Sequence, residues 1–332
     1  MQLNEYRISN FSTQNGQALD ITLAYATYGQ LNAAKDNAIL ILTSYSATHE
    51  DAEDLFATTD TLDLSSECVI VINMLCNSAS SSPSNTPAPF DGPRFPLITV
   101  HDNVRAQHQL ITKELGIGRL RLVMGFSMGG LQTFEWGAQH SDMVDAILPI
   151  CGAARVSNHN WLFLEGAKKA LLADPAFNQG DYSSRPEAGM EAFATVYGGW
   201  VFSQDFFREE LFKDLGMEAT EDVIEFMKNY FYRLEANDLL GMLETWQAAD
   251  ISENLEFGGD FNSALAAIKT RAIVMPSRTD LYFRVADSDF EVRRMPNAEL
   301  RVIDSSLGHI AGGGMDPIGK AAIDLAMVEL LK

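Results

Sequence analysis

Four short runs of nearly unbroken aliphatic residues restrict most strongly what this chain can become: "NAILILTSY" (37–45), "ECVIVINML" (67–75), "LRLVM" (120–124) and "DAILPIC" (145–151). A strand with one wet face alternates apolar and polar residues, because successive side chains point to opposite sides. The first two runs do not alternate and are rich in isoleucine and valine, so they suit strands buried on both faces of a parallel sheet; the other two read as further strands. Helical segments lie between them. "VHDNVRAQHQLITKEL" has helical spacing from about 100 to 115 and stops at Gly116, and "LQTFEWGAQH" follows the third run. The order β-α-β-α-β predicts an α/β fold with a mainly parallel central sheet. Ahead of it, residues 4–12 and 18–28 are strand-like and flank Asn15-Gly16, which predicts an opening β-hairpin.

From about 152 to 268 the texture changes. Stretches such as "NWLFLEGAKKALLA" and "EDVIEFMKNYFYRLEANDLLGMLETW" are helical, and no buried-strand run interrupts them. The strand pattern resumes with "TRAIVMPS" (270–277) and "AELRVIDS" (298–305), and "DPIGKAAIDLAMVELLK" reads as a final helix. The expected organisation is a core over 1–151, a helical lid insertion over 152–268, and the rest of the core over 269–332. With 332 residues, 46% of them hydrophobic, the chain can bury a core of that size. The loop 77–98, dense in serine and proline, is long for a compact domain and so is either functional or disordered.

Composition closes off several functions. A formal charge of −21 disfavours nucleic acid and anionic membrane surfaces, both of which attract lysine and arginine. No aliphatic run approaches the roughly 20 residues that a bilayer demands. "MQLNEYRISN" lacks the apolar centre of a signal peptide, and the three cysteines form no CxxC pair. These features lead us to expect a cytoplasmic protein. There is no HExxH and no paired Cys/His spacing, so no metal is expected. "GIGRLR" (116–121) lacks the third glycine of a dinucleotide fingerprint and no GK[ST] occurs, so no nucleotide cofactor is expected either.

The third apolar run leads into "GFSMGG" (125–130) and then a helix. A Gly-x-Ser-x-Gly at a strand-to-helix turn forces its serine into a strained conformation and exposes the hydroxyl. A serine hydroxyl is a weak nucleophile unless a base takes its proton, so a histidine is required. Among six histidines, His49, His101 and His108 precede Ser127, His140 ends the helix that starts there, and His159 lies in the helical region. His309, in the glycine-rich loop "SSLGHIAGGG", follows a late strand and is the expected base. In chain order the acid lies between serine and histidine. Asp280, just beyond "AIVMPS", fits; Asp304 competes but sits only five positions before His309. An oxyanion formed by attack of Ser127 needs two donors, the backbone N–H of Met128 and one from the loop at Ser44 or Tyr45.

With those residues in place the chain resembles the homoserine O-acetyltransferase family of the α/β-hydrolase fold. The likeness runs through "NAILILTSYSATHEDAEDL", "NMLCNSASSSPSNT", "FPLITVHDNVRAQHQLITKELGI", "LVMGFSMGGLQTFEWGAQHSDMV", "DPAFNQGDY" and "GHIAGGGMDP". It implies Ser127, Asp280 and His309 as nucleophile, acid and base, Met128 and Ser44 as oxyanion donors, and a helical lid that also makes a dimer contact. Transferases of the family hold homoserine with a lid arginine and an aspartate directly after the catalytic histidine. Here those positions fall near Ala194 and on Ile310. The resemblance therefore points to an esterase-like member, with Phe193, Tyr197, Trp200 and Ile310 making an apolar substrate site.

The expected activity is hydrolysis of short acyl esters through an acyl-enzyme, without cofactor, by a homodimer. The alternative is transfer of an acetyl or succinyl group from acyl-CoA to homoserine or a similar hydroxyl, with Lys168, Lys169 or Arg278 as substitute anchors. A non-catalytic binding protein is a third reading, disfavoured by the complete Ser-Asp-His set.

Overall fold

The computed structural model of the chain describes residues 2–56 and 61–332. Eight strands form one sheet: β1 (Gln2–Ser12), β2 (Ala18–Gly29), β3 (Ala38–Leu42), β4 (Cys68–Ile72), β5 (Leu122–Phe126), β6 (Ala146–Ile150), β7 (Arg271–Val274) and β8 (Ala298–Leu300). Their order across the sheet is β1-β2-β4-β3-β5-β6-β7-β8. The hairpin strands β1 and β2 are antiparallel, β2 pairs antiparallel with β4, and every pairing from β4 to β8 is parallel. All five residues of β3, of β4 and of β6 are buried, the state their lack of alternation predicts.

Helices α1 (Val100–Gln109), α2 (Met128–Gln139), α9 (Val285–Val292) and α10 (Pro317–Leu330) belong to the strand-bearing halves. Between β6 and β7 the elements are α3 (Asn158–Leu172), α4 (Glu187–Val201), α5 (Gln204–Arg208), α6 (Thr220–Tyr232), α7 (Ala236–Gln247) and α8 (Phe261–Ala267), with short 3₁₀ turns. The stretch from Glu221 to Trp246 thus splits in two. The break falls where the Glu235 side chain accepts from the Asp238 N–H and starts a new helix.

Two other boundaries differ from expectation. α1 is capped by a reciprocal Thr99–Asp102 box but ends at Gln109, and Leu110–Glu114 continues as one wider π-type turn. The final strand, read to 305, keeps regular pairing only over Ala298–Leu300 and touches β7's extension again at Ile303. As an edge strand it has a partner on one side alone.

The serine-rich loop is ordered by its own side chains. Ser80 Oγ donates to the Asn73 carbonyl at 2.7 Å, and Ser82 Oγ to that of Ser80 at 2.7 Å. Asp238, buried at the start of α7, accepts from Ser78 Oγ (2.6 Å), Ser84 Oγ (2.5 Å) and the Ser84 N–H (2.9 Å). This clasp fastens the loop to the start of α7.

Candidate active site

β5 delivers Ser127 and α2 begins one residue later. Ser127 has φ 57° and ψ −120°, a region that an L-residue occupies only when its surroundings enforce it. The two flanking glycines do the enforcing. A Cβ on Gly125 would stand 2.5 Å from the Gly129 carbonyl, and one on Gly129 would stand 2.3 Å from the Leu42 carbonyl of β3. Only glycine lets helix, strand and turn approach so closely. Although Ser127 occupies the cap position of α2, its side chain caps nothing. The hydroxyl is left for another partner.

That partner is His309. Its Nε2 lies 2.8 Å from Ser127 Oγ, and its Nδ1 lies 2.7 Å from Asp280 Oδ2. All three residues are buried, with Ser127 only 2% exposed. Asp280 is held in turn: Oδ1 accepts the N–H of Tyr282 at 2.7 Å and of Phe283 at 3.2 Å. The imidazole is clamped by the rings of Phe126 and Tyr282, each with its centroid 4.7 Å away. Asp304 is exposed and instead accepts from Arg278 at 2.6 Å. The other histidines lie elsewhere: His101 meets Glu135 at 2.8 Å, His108 stacks on His140 at 4.0 Å, His49 contacts Asn73, and His159 packs on Trp200.

A cleft of about 1050 Å³, its open mouth included, reaches Ser127 and His309. Ser44 and Tyr45 line it in a turn closed by the Ala47 N–H on the Ser44 carbonyl at 3.2 Å. Met128 is the first residue of α2, where backbone N–H groups have no acceptor within the helix and the helix dipole is positive. Of the four residues expected to meet substrate, Tyr197 and Ile310 line the cleft. Phe193 and Trp200 do not. Phe193 is fully buried behind Tyr197, with ring centroids 5.9 Å apart, and Trp200 faces His159 and Phe163 at 5.0 Å each. The rest of the wall is mostly apolar and includes Leu55, Phe226 and Met227.

Among the described residues Asp51 is the one charged side chain lining the cleft, and it is paired with Arg233 at 3.0 Å. The substitute anchors are engaged outside it. Lys168 meets Glu244 at 2.6 Å, Lys169 meets Glu165 at 3.5 Å, and Arg278 holds Asp304. Ala194, near which the resemblance puts the transferases' arginine, is fully buried.

One neighbour carried no sequence signal. Cys151, buried at the end of β6, places its thiol with Asp280 and His309 so that their ligand-type atoms lie within 4.8 Å of one another. This trio is the group of described residues able to hold a metal, yet two of its members are already bonded to each other. Burial pushes the Cys151 thiol well above its ordinary range, and the adjacent Asp280 carboxylate pushes it the same way, so it stays a neutral thiol.

Comparison with known proteins agrees with this fold. A family model described as the alpha/beta hydrolase fold matches residues 41–312. An ethyl acetate hydrolase of Pseudomonas veronii is 41% identical over 313 residues, covering 93% of this chain and 89% of that protein. The solved structure of the acetyl esterase MekB superposes with a TM-score of 0.96 at 38% identity, covering 100% of this chain and 97% of that one. A homoserine O-acetyltransferase of Chlorobium chlorochromatii is 28% identical over 319 residues, covering 91% and 88%.

Proposed function

The chain belongs to the alpha/beta hydrolase family, and from that premise we propose that it is a serine esterase for short-chain acyl esters, with Ser127, His309 and Asp280 as its relay. Ser127 Oγ attacks the ester carbonyl while His309 Nε2 takes its proton. Asp280 accepts the Nδ1 proton, fixing the tautomer and offsetting the charge on the imidazolium. The oxyanion is held by the amides of Met128 and of Ser44 or Tyr45, each worth about 3 kcal/mol in the transition state. His309 then protonates the leaving alkoxide, and water, activated by the same histidine, releases the acid from the acyl-serine.

The observation that carries water rather than an amino acid as acceptor is the charge of the cleft. Its single acidic side chain is already paired, and no lysine or arginine among the described residues faces Ser127. A zwitterion moved into such a site would leave water with neither end compensated, at a cost of several kcal/mol. The apolar wall instead suits an acyl chain and a small alcohol, in keeping with the names of two similar proteins, ethyl acetate hydrolase and acetyl esterase. Transfer from acyl-CoA to homoserine is the competing reading, supported by the more distant transferase relatives.

The deciding experiment supplies acetyl-CoA or p-nitrophenyl acetate with and without homoserine and follows both products. Free acetate should dominate with either donor. Preferential formation of O-acetylhomoserine would overturn the esterase reading. We further place the enzyme in a reducing compartment, on the ground of three free, buried cysteines. A dimer through the helical insertion draws support from exposed Trp161 and Leu162 on α3. Sedimentation analysis checks it.

A further inference from the structure

Ser46, in the turn that carries the Ser44 and Tyr45 amides, has φ 60°, a left-handed conformation that a residue other than glycine keeps only when held there. Two contacts from the helical insertion hold this turn. Tyr45 Oη donates to the Leu239 carbonyl of α7 at 3.0 Å, and Ser46 Oγ lies 3.0 Å from Tyr230 Oη of α6. The proton order of the second contact follows from a third. Ser46 has one hydroxyl proton and gives it to the Tyr45 carbonyl at 2.5 Å, so Tyr230 must donate to Ser46. Tyr230 is itself steadied by the Arg233 guanidinium, 4.8 Å over its ring, which is paired with Asp51 at the far end of the same loop. The relay Asp51–Arg233–Tyr230–Ser46–Tyr45 therefore ties one insertion helix to the segment that follows β3.

We propose that Tyr230 is a positioning residue for ester turnover: its bond to Ser46 fixes the left-handed turn, so that α6 sets the aim of the second oxyanion donor. This rests on the esterase reading and on the assignment of that donor to Ser44 or Tyr45. Removing a whole donor lowers turnover by about 10²–10³. Loosening its aim removes part of that, and we expect roughly a tenfold loss.

The test uses Tyr230→Phe and Ser46→Ala in the full chain, with active sites counted by the p-nitrophenol burst. A trifluoromethyl ketone, which forms a charged hemiketal with a serine nucleophile, probes the oxyanion site. The matching secondary alcohol probes ground-state binding alone. In both variants kcat should fall about tenfold with KM nearly unchanged, and the ketone Ki should rise by the same factor. The alcohol Ki should hold. A ketone Ki equal to that of the unmodified enzyme, or a loss confined to KM or to the number of active sites, overturns the positioning role. If the unmodified chain shows no Ser127-dependent burst, the esterase reading falls first, and this inference with it.

Discussion

Glu291, on α9, is buried with its Oε1 accepting the Ala154 N–H at 2.8 Å, while Oε2 has no partner among the described residues. Burial pushes its pKa up to about 8 from 4.5; Asp287 adds to the rise, and the Ala154 amide and Arg155 oppose it. The folded chain thus holds a proton that the unfolded chain has released above 4.5. Stability from this group is fully present below pH 4.5, falls as pH rises through the window, and is gone above about 8. A difference of about 3.5 units at about 1.4 kcal/mol each makes the swing roughly 5 kcal/mol. Glu291→Gln keeps an acceptor for Ala154 and cannot ionise. Urea unfolding of both proteins in buffers below 4.5, within the window and above 8 reads the effect. The stability of the variant relative to the unmodified chain should grow by several kcal/mol across the series. A difference that stays constant with pH would mean the carboxyl titrates alike in the folded and unfolded chains, and the reasoning would be wrong.

Three further outcomes follow from named contacts. Gly129→Ala sets a methyl 2.3 Å from a strand carbonyl that cannot retreat; it should lose about 1–3 kcal/mol in urea unfolding and most ester turnover, and unchanged values for both would refute the tight-turn argument. Asp280→Asn should fold normally yet lower kcat by about 10⁴, since the amide presents the wrong partner to Nδ1; retention of more than a tenth of the rate would remove Asp280 from the relay. Asp238→Ala leaves three donors without their acceptor, which should cost about 3 kcal/mol and speed protease cleavage within 77–98. Equal cleavage rates would show that the clasp does not order the loop.

The central strands were legible because burial on both faces leaves a compositional trace, an unbroken aliphatic run, that needs no knowledge of the partner strand. That Ser127 and His309 would meet was legible for a related reason: the fold orders serine, acid and base along the chain, which favours His309 over the other five histidines. Asp304 satisfies the same order, and only the contacts separate it from Asp280. The substrate wall was not. Phe193 and Tyr197 share a face of α4, but which ring fronts the cleft depends on how far α4 sits from Phe231 and Tyr45, a tertiary distance with no local signal. Trp200, three residues beyond Tyr197, turns to His159 and Phe163. Cys151 beside Asp280, and Tyr230 on Ser46 across 184 residues, belong to the same class. They are convergences of distant segments, and helical periodicity reads identically with or without them.

The whole account turns on whether the Ser127 hydroxyl carries the acyl group between ester and water. Rapid acid quench of the enzyme turning over p-nitrophenyl acetate, followed by peptide mass spectrometry, observes this directly. One acetyl increment should appear on the peptide containing Ser127, vanish in Ser127→Ala, and accumulate in His309→Gln if any acylation survives there. Undiminished turnover by Ser127→Ala, or an acetyl group found on another residue at a rate that matches turnover, would contradict it.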